Sequence, residues 1–73
     1  MLRAVEPREI EQILELTDRL EIHRESVAIP LARRDPGGVR KLPNGSIEIT
    51  VPADGDFALW LGGLEERLRT LPG

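Results

Sequence analysis

Cysteine is absent from this chain. Its absence removes disulfides, thiolate metal sites and cysteine nucleophiles together. Tyrosine is missing too, and aromatic character rests on Phe57 and Trp60 alone. Both fall on the apolar stripe of a helical segment, so no aromatic platform is left for stacking bases. Lys41 is the only lysine beside nine arginines, a bias that fits a GC-rich bacterial coding sequence, a thermophile's included. His23 is the only histidine. No apolar run approaches the roughly 18 residues of a membrane-spanning helix. Met1 to Pro7 has no apolar stretch of the signal-peptide kind, so the expected location is cytoplasmic, with no membrane partner.

What is present bounds the protein further. Seventy-three residues are expected to form one domain, 1–73. A core of this size seldom supplies more than about 3–5 kcal/mol without a staple, so association is one of the few remaining ways to bury more surface. The net charge of −3 and a pI near 5.1 argue against a general binder of nucleic acid or anionic membrane.

Hydrophobic periodicity predicts the elements. Pro7 suits a first helical turn, where its missing N–H costs nothing. Ile10, Ile13, Leu14, Thr17 and Leu20 then form a stripe that predicts a helix over about 7–22. Glu6 and Glu9 lie where the helix dipole favours negative charge, and Glu15 stands four residues before Arg19 in the favourable order for a surface pair. The period then drops to two. Val27, Ile29 and Leu31 alternate with Ala28, Pro30 and Ala32, a strand that Pro30 places at an edge or a bulge. Asp35-Pro36-Gly37-Gly38 is a turn signal, followed by strands at Val39–Leu42 and Ser46–Val51.

Between those two strands the turn allows two registers. An Asn44-Gly45 type I′ turn pairs Leu42 with Ile47 and Lys41 with Glu48. A type I turn at Pro43-Asn44 with Gly45 as a G1 bulge pairs Lys41 with Ile47 and Arg40 with Glu48. Pro43 favours the bulged form, being awkward as a ladder residue. Phe57, Trp60, Leu61, Leu64, Leu68 and Leu71 then trace the stripe of a second helix. Asp54 or Asp56 can cap it, and Glu65 and Arg69 pair along it. The fold expected is α+β: a two-layer α-β-β-β-α sandwich, with a three-stranded antiparallel meander, both helices on one face and a possible extra strand at residues 1–5.

Element order alone resembles that of the double-stranded-RNA-binding domain and of the small HicA-type RNA-cleaving toxins. The first family opens its second helix on a lysine cluster, where this chain has Asp54-Gly55-Asp56-Phe57-Ala58-Leu59. The second uses a histidine on a strand, and no strand here carries one. Met1-Leu2-Arg3-Ala4-Val5 with Glu9 to Leu16 looks like the opening strand and helix of GNAT acetyltransferases. That likeness covers about twenty residues, without the family's acetyl-CoA loop. These likenesses imply layout, not activity.

No catalytic constellation stands out. His23 reads as a solvated residue at the end of a helix, and Asp54-Gly55-Asp56 as a helix cap rather than half a cation site. Ser26 and Ser46 have no nucleophile-elbow context, and there is no glycine-rich phosphate loop. The expectation is a non-catalytic protein without metal, cofactor or small-molecule ligand.

Two surface features remain. Arg33, Arg34, Arg40 and Lys41 gather in the segment 30–45, which carries a local +3 between acidic flanks. They could touch phosphates; otherwise they are a solvated turn. On the second helix Leu59, Gly62, Gly63, Glu66 and Thr70 lie opposite the core stripe. Interior helical glycine costs about 1 kcal/mol against alanine, so two in a row suggest close approach of another backbone. The function expected is therefore a protein-interaction module, homo-oligomeric or docked on another protein, with nucleic-acid binding through the basic hairpin as the alternative.

Overall fold

The computed structural model describes residues 4–71. Helix α1 spans Pro7–Arg19, a single 3₁₀ turn Arg24–Ser26, strand β1 Val27–Ala28, β2 Gly38–Lys41, β3 Ile47–Thr50 and helix α2 Phe57–Arg69. The α+β class and the number of helices and strands are as the sequence predicts. The pairing is not.

The sheet order is β1-β3-β2, and β1 runs parallel to β3; the antiparallel meander is thereby corrected. In a meander Asp35-Pro36-Gly37-Gly38 would join neighbouring strands. Here it arches over the end of β3 and delivers β2 to the far side. Three residues hold the arch. The Arg34 amide donates to the Val51 carbonyl at 2.9 Å. Asp35 Oδ1 accepts from the amides of Ala53 and Asp54, each at 2.9 Å. Gly37, at φ +74°, lies so close to β3 that a Cβ there would sit 2.9 Å from the Thr50 carbonyl oxygen and from Pro52. Only glycine meets both demands.

The alternation expected over Val27–Leu31 lasts two residues. Past Ala28 the chain leaves the ladder, and Leu31 stands 61% exposed. The segment is tied to Ala4 and Val5 instead. The Val5 amide donates to the Leu31 carbonyl at 2.7 Å, and Ala4 bridges Ala32. That is the trace of the extra strand expected at residues 1–5, of which 1–3 lie outside the described residues.

Between β2 and β3 the bulged register holds, with Arg40 opposite Glu48 and Lys41 opposite Ile47. Gly45 adopts φ +91°, its amide donates to the Leu42 carbonyl at 2.9 Å, and the Leu42 amide donates to the Ser46 carbonyl at 2.7 Å. Odd-numbered residues of β2 and β3 therefore face the helices, and even-numbered ones face away.

The core joins Ile13 and Leu16 of α1, Ile49 and Val51 of the sheet segment, and Leu64 and Leu68 of α2, closed at one end by Val5. Phe57, Trp60, Leu61 and Leu71 pack against it half-buried, as the stripe predicts. On α1 the buried band is Glu9, Ile13, Leu16 and Thr17, so Leu14 is half-buried and the band is rotated from the expected one. The helix also ends early, at Arg19 rather than near 22. Glu21 takes φ +62°, the Ile22 amide donates to Thr17 and the Glu21 amide to Asp18, a Schellman cap with glutamate where glycine is usual. Asp56 caps α2 through the Ala58 amide at 2.8 Å, and Glu65 meets Arg69 at 2.8 Å. Glu15 and Arg19 form no ion pair among the described residues; the polar face of α1 is tied instead by Arg24 to Asp18 at 2.9 Å and to Glu11 at 3.6 Å.

Candidate functional site

The four cations of the hairpin region do not form one cluster. Arg33 is 5% exposed and turned inward, where its guanidinium donates to Glu9 Oε1. Glu9, itself buried, also accepts the Glu6 amide at 3.0 Å through the same oxygen. The Arg33 guanidinium is pushed up by this hydrogen bond, with burial opposing the shift. Arg33 Nε has no hydrogen-bond partner among the described residues. An arginine so placed is out of reach of any phosphate, so it leaves the expected set and becomes the tether between the start of α1 and the arch.

Arg34 and Arg40 point the other way, onto the sheet face the helices leave open. With Glu48, Thr50 and Gly38 they line a concavity of about 270 Å³ whose far wall is the 35–37 arch. Arg40 Nε donates to Glu48 Oε1 at 2.9 Å, the cross-strand pair that the register implies. Arg34 has no ion pair among the described residues. Lys41 lies on the helix side, at the rim of a second concavity of about 420 Å³. That one is floored by Leu20, Ile22, Ile47 and Leu68 and flanked by Arg69.

On α2, Leu59, Gly62, Gly63, Glu66 and Thr70 are all exposed, Leu59 at 79%. A Cβ added at Gly62 or Gly63 would meet nothing within 4 Å. Packing within the chain therefore gives neither glycine a reason.

His23 is exposed at the start of the 3₁₀ turn. Among the described residues no group of three or more His, Asp or Glu side chains could hold a metal ion. Asp54 is engaged through its amide, and Asp56 by its cap. No helix of the described residues is long and apolar enough to cross a membrane.

Sequence reasoning missed the Glu9–Arg33 pair. A signal for half of it was present: Glu9 holds a place in the 9, 13, 16, 17 spacing of one helical face. For Arg33 nothing local separates it from Arg34.

No family model matches this sequence, and neither the curated proteins nor the solved structures contain a match.

Proposed function

We propose that this chain is a non-catalytic protein-interaction module that associates, with a second copy or with another protein, through the outer face of α2. The observation that carries the reading is the pairing of an almost bare Leu59 with two helical glycines that face open space. Each such glycine weakens the helix by about 1 kcal/mol relative to alanine. In a chain with so little stability to spare, a partner backbone approaching closely gives that loss a purpose. Molar mass by light scattering across a hundredfold concentration range tests it. A dimer or larger that Gly63→Leu converts to monomer supports self-association. A wild-type monomer that also retains no protein partner, with Gly63→Leu merely more helical, removes the face's rationale.

A second reading, nucleic-acid binding, is favoured by the way Arg34 and Arg40 share one concavity. With Lys41 included, three cations are available, so the logarithmic salt slope would not exceed about −3. A salt-insensitive or absent shift with short DNA and RNA duplexes ends that reading.

A further inference from the structure

The ends of the sheet are not equivalent. Beyond β1 the chain continues into Pro30, which has no amide hydrogen to donate, and the segment Leu31–Ala32 is engaged by Ala4 and Val5. Beyond β2 no backbone pairs among the described residues. Because the Leu42 amide donates inward to Ser46, alternation makes Arg40 and Gly38 the inward-bonded residues of β2 and turns the N–H and C=O of Val39 and Lys41 outward. This leaves a short open edge, flanked by Gly37 and the 43–45 turn.

From this edge, and resting on the reading of the chain as an interaction module, we infer that β2 receives an extended segment of a partner protein as an added strand, and that the segment alternates acidic and apolar residues. The pattern follows from the two faces. Partner residues opposite Gly38 and Arg40 point to the open face, where Arg40 waits beside Arg34, which has no ion pair among the described residues. Those opposite Val39 and Lys41 point to the helix side, along Val39 and into the apolar concavity floored by Leu20, Ile22, Ile47 and Leu68. β3 offers the same pattern to the inner side of β2, as Ile47-Glu48-Ile49-Thr50, with Glu48 on Arg40. The outer side is the same strand without its second partner. Main-chain bonds supply affinity in this mode, and alternate side chains supply selection. A second copy of this chain is the wrong occupant. Two antiparallel β2 strands centred on Arg40 would set the two Arg40 side chains directly opposite, where like charges are destabilising, and the register centred on Val39 still gathers both Arg40 and both Lys41 on one short edge. Edge cations commonly serve that exclusion.

The test is a titration of the full chain, followed by amide chemical shifts, with the blocked peptide Glu-Val-Glu-Val-Glu-Thr. Saturable binding is expected, centred on Val39, Arg40 and Lys41. Each of three changes is expected to weaken it about tenfold or more, the worth of one or two hydrogen bonds or a charge pair: N-methylation of the peptide amides facing β2, Val39→Pro, and Arg40→Glu with Lys41→Glu. Val39→Pro removes an outward N–H and leaves the β2–β3 ladder whole, so its spectrum must stay folded. Replacing Glu by Lys in the peptide should abolish binding. Equal affinity for the N-methylated peptide overturns the added strand and leaves mere charge attraction. No saturable binding overturns the proposal, as does a dimer that dissociates on Val39→Pro, or tighter binding of a short oligothymidylate at Arg34 and Arg40. Gly63→Leu touches only the α2 face, so failure of the light-scattering test and failure of this one are separately visible.

Discussion

Removing Arg33 should strongly destabilise this protein, and removing Arg33 together with Glu9 should not. Both side chains are within a few per cent of full burial, and truncating Arg33 would take from the Glu9 carboxylate the guanidinium that bonds its Oε1. Leaving one member of a buried pair without the other costs about 3–5 kcal/mol. A chain of this length holds about 0.05–0.15 kcal/mol per residue, roughly 4–11 kcal/mol in all, and small single cores sit at the lower end. Arg33→Ala therefore consumes half or more of the stability. Glu9→Leu with Arg33→Leu removes both charges, and such exchanges are neutral or stabilising as often as not. The double variant should lie within about 2 kcal/mol of wild type, less the cap that Glu9 supplied. Urea titration followed by far-UV circular dichroism, run as a double-mutant cycle, reads the coupling directly. The pH dependence has a definite sign. A guanidinium pushed up by its partner contributes stability that is complete below its unfolded pKa and fades only as pH climbs through the folded one. Arg33's own titration therefore adds no slope across neutral pH. A loss below about 1 kcal/mol for Arg33→Ala, with no coupling in the cycle, would refute the buried tether.

Glu21→Gly should stabilise by about 0.5–1 kcal/mol, because it relieves a non-glycine residue at positive φ in the α1 cap while loosening the unfolded chain. A melting temperature raised by several degrees checks it, and a fall would mean the cap is not left-handed. Gly37→Ala should cost about 2–4 kcal/mol, since the methyl meets the Thr50 carbonyl and Pro52 at 2.9 Å at a φ alanine disfavours; a cost under about 1 kcal/mol would mean the arch does not press on β3. Trp60→Phe should change stability by less than about 1 kcal/mol, because the lost area is offset by removing a buried indole N–H that has no partner among the described residues. A larger loss in the same urea titration would show that the N–H is bonded.

The parts of this fold that could be read from sequence are those decided within a few residues. Pro43, Asn44 and Gly45 select the bulged hairpin by their own backbone preferences, and that register then places Arg40 against Glu48. The α2 stripe, its Asp56 cap and the Glu65–Arg69 pair are equally local. Strand pairing was not legible, because Asp35-Pro36-Gly37-Gly38 serves as well for a hairpin as for an arch. What decides between them acts at a distance: Asp35 onto Ala53, 18 positions on, and Arg33 onto Glu9, 24 positions back. The same pair explains the misassigned cation. Arg33 and Arg34 are neighbours with identical side chains, and only the tertiary position of Glu9 sends one inward and leaves the other on the open face. The end of α1 was hidden for the opposite reason, since glutamate occupies the cap position where glycine would have signalled it.

The arch also decides which strand is offered to a partner. In a meander β2 would be the central strand, its backbone paired on both sides and Arg40 shielded between neighbours, and β3 would form an edge. Passing the chain over the end of β3 exchanges those roles. β3, with its alternating Ile47, Glu48, Ile49 and Thr50, becomes central and has partners on both sides. The cationic strand goes to the outside with half its hydrogen-bonding groups unused. Glu9 and Arg33 line neither concavity, and Asp35 and Gly37 only wall the first, yet all four hold the crossing that creates the edge. If β2 is where this protein meets another, Glu9 and Arg33 matter to binding only through the fold, and the side chains that select the partner are Arg34, Val39, Arg40 and Lys41.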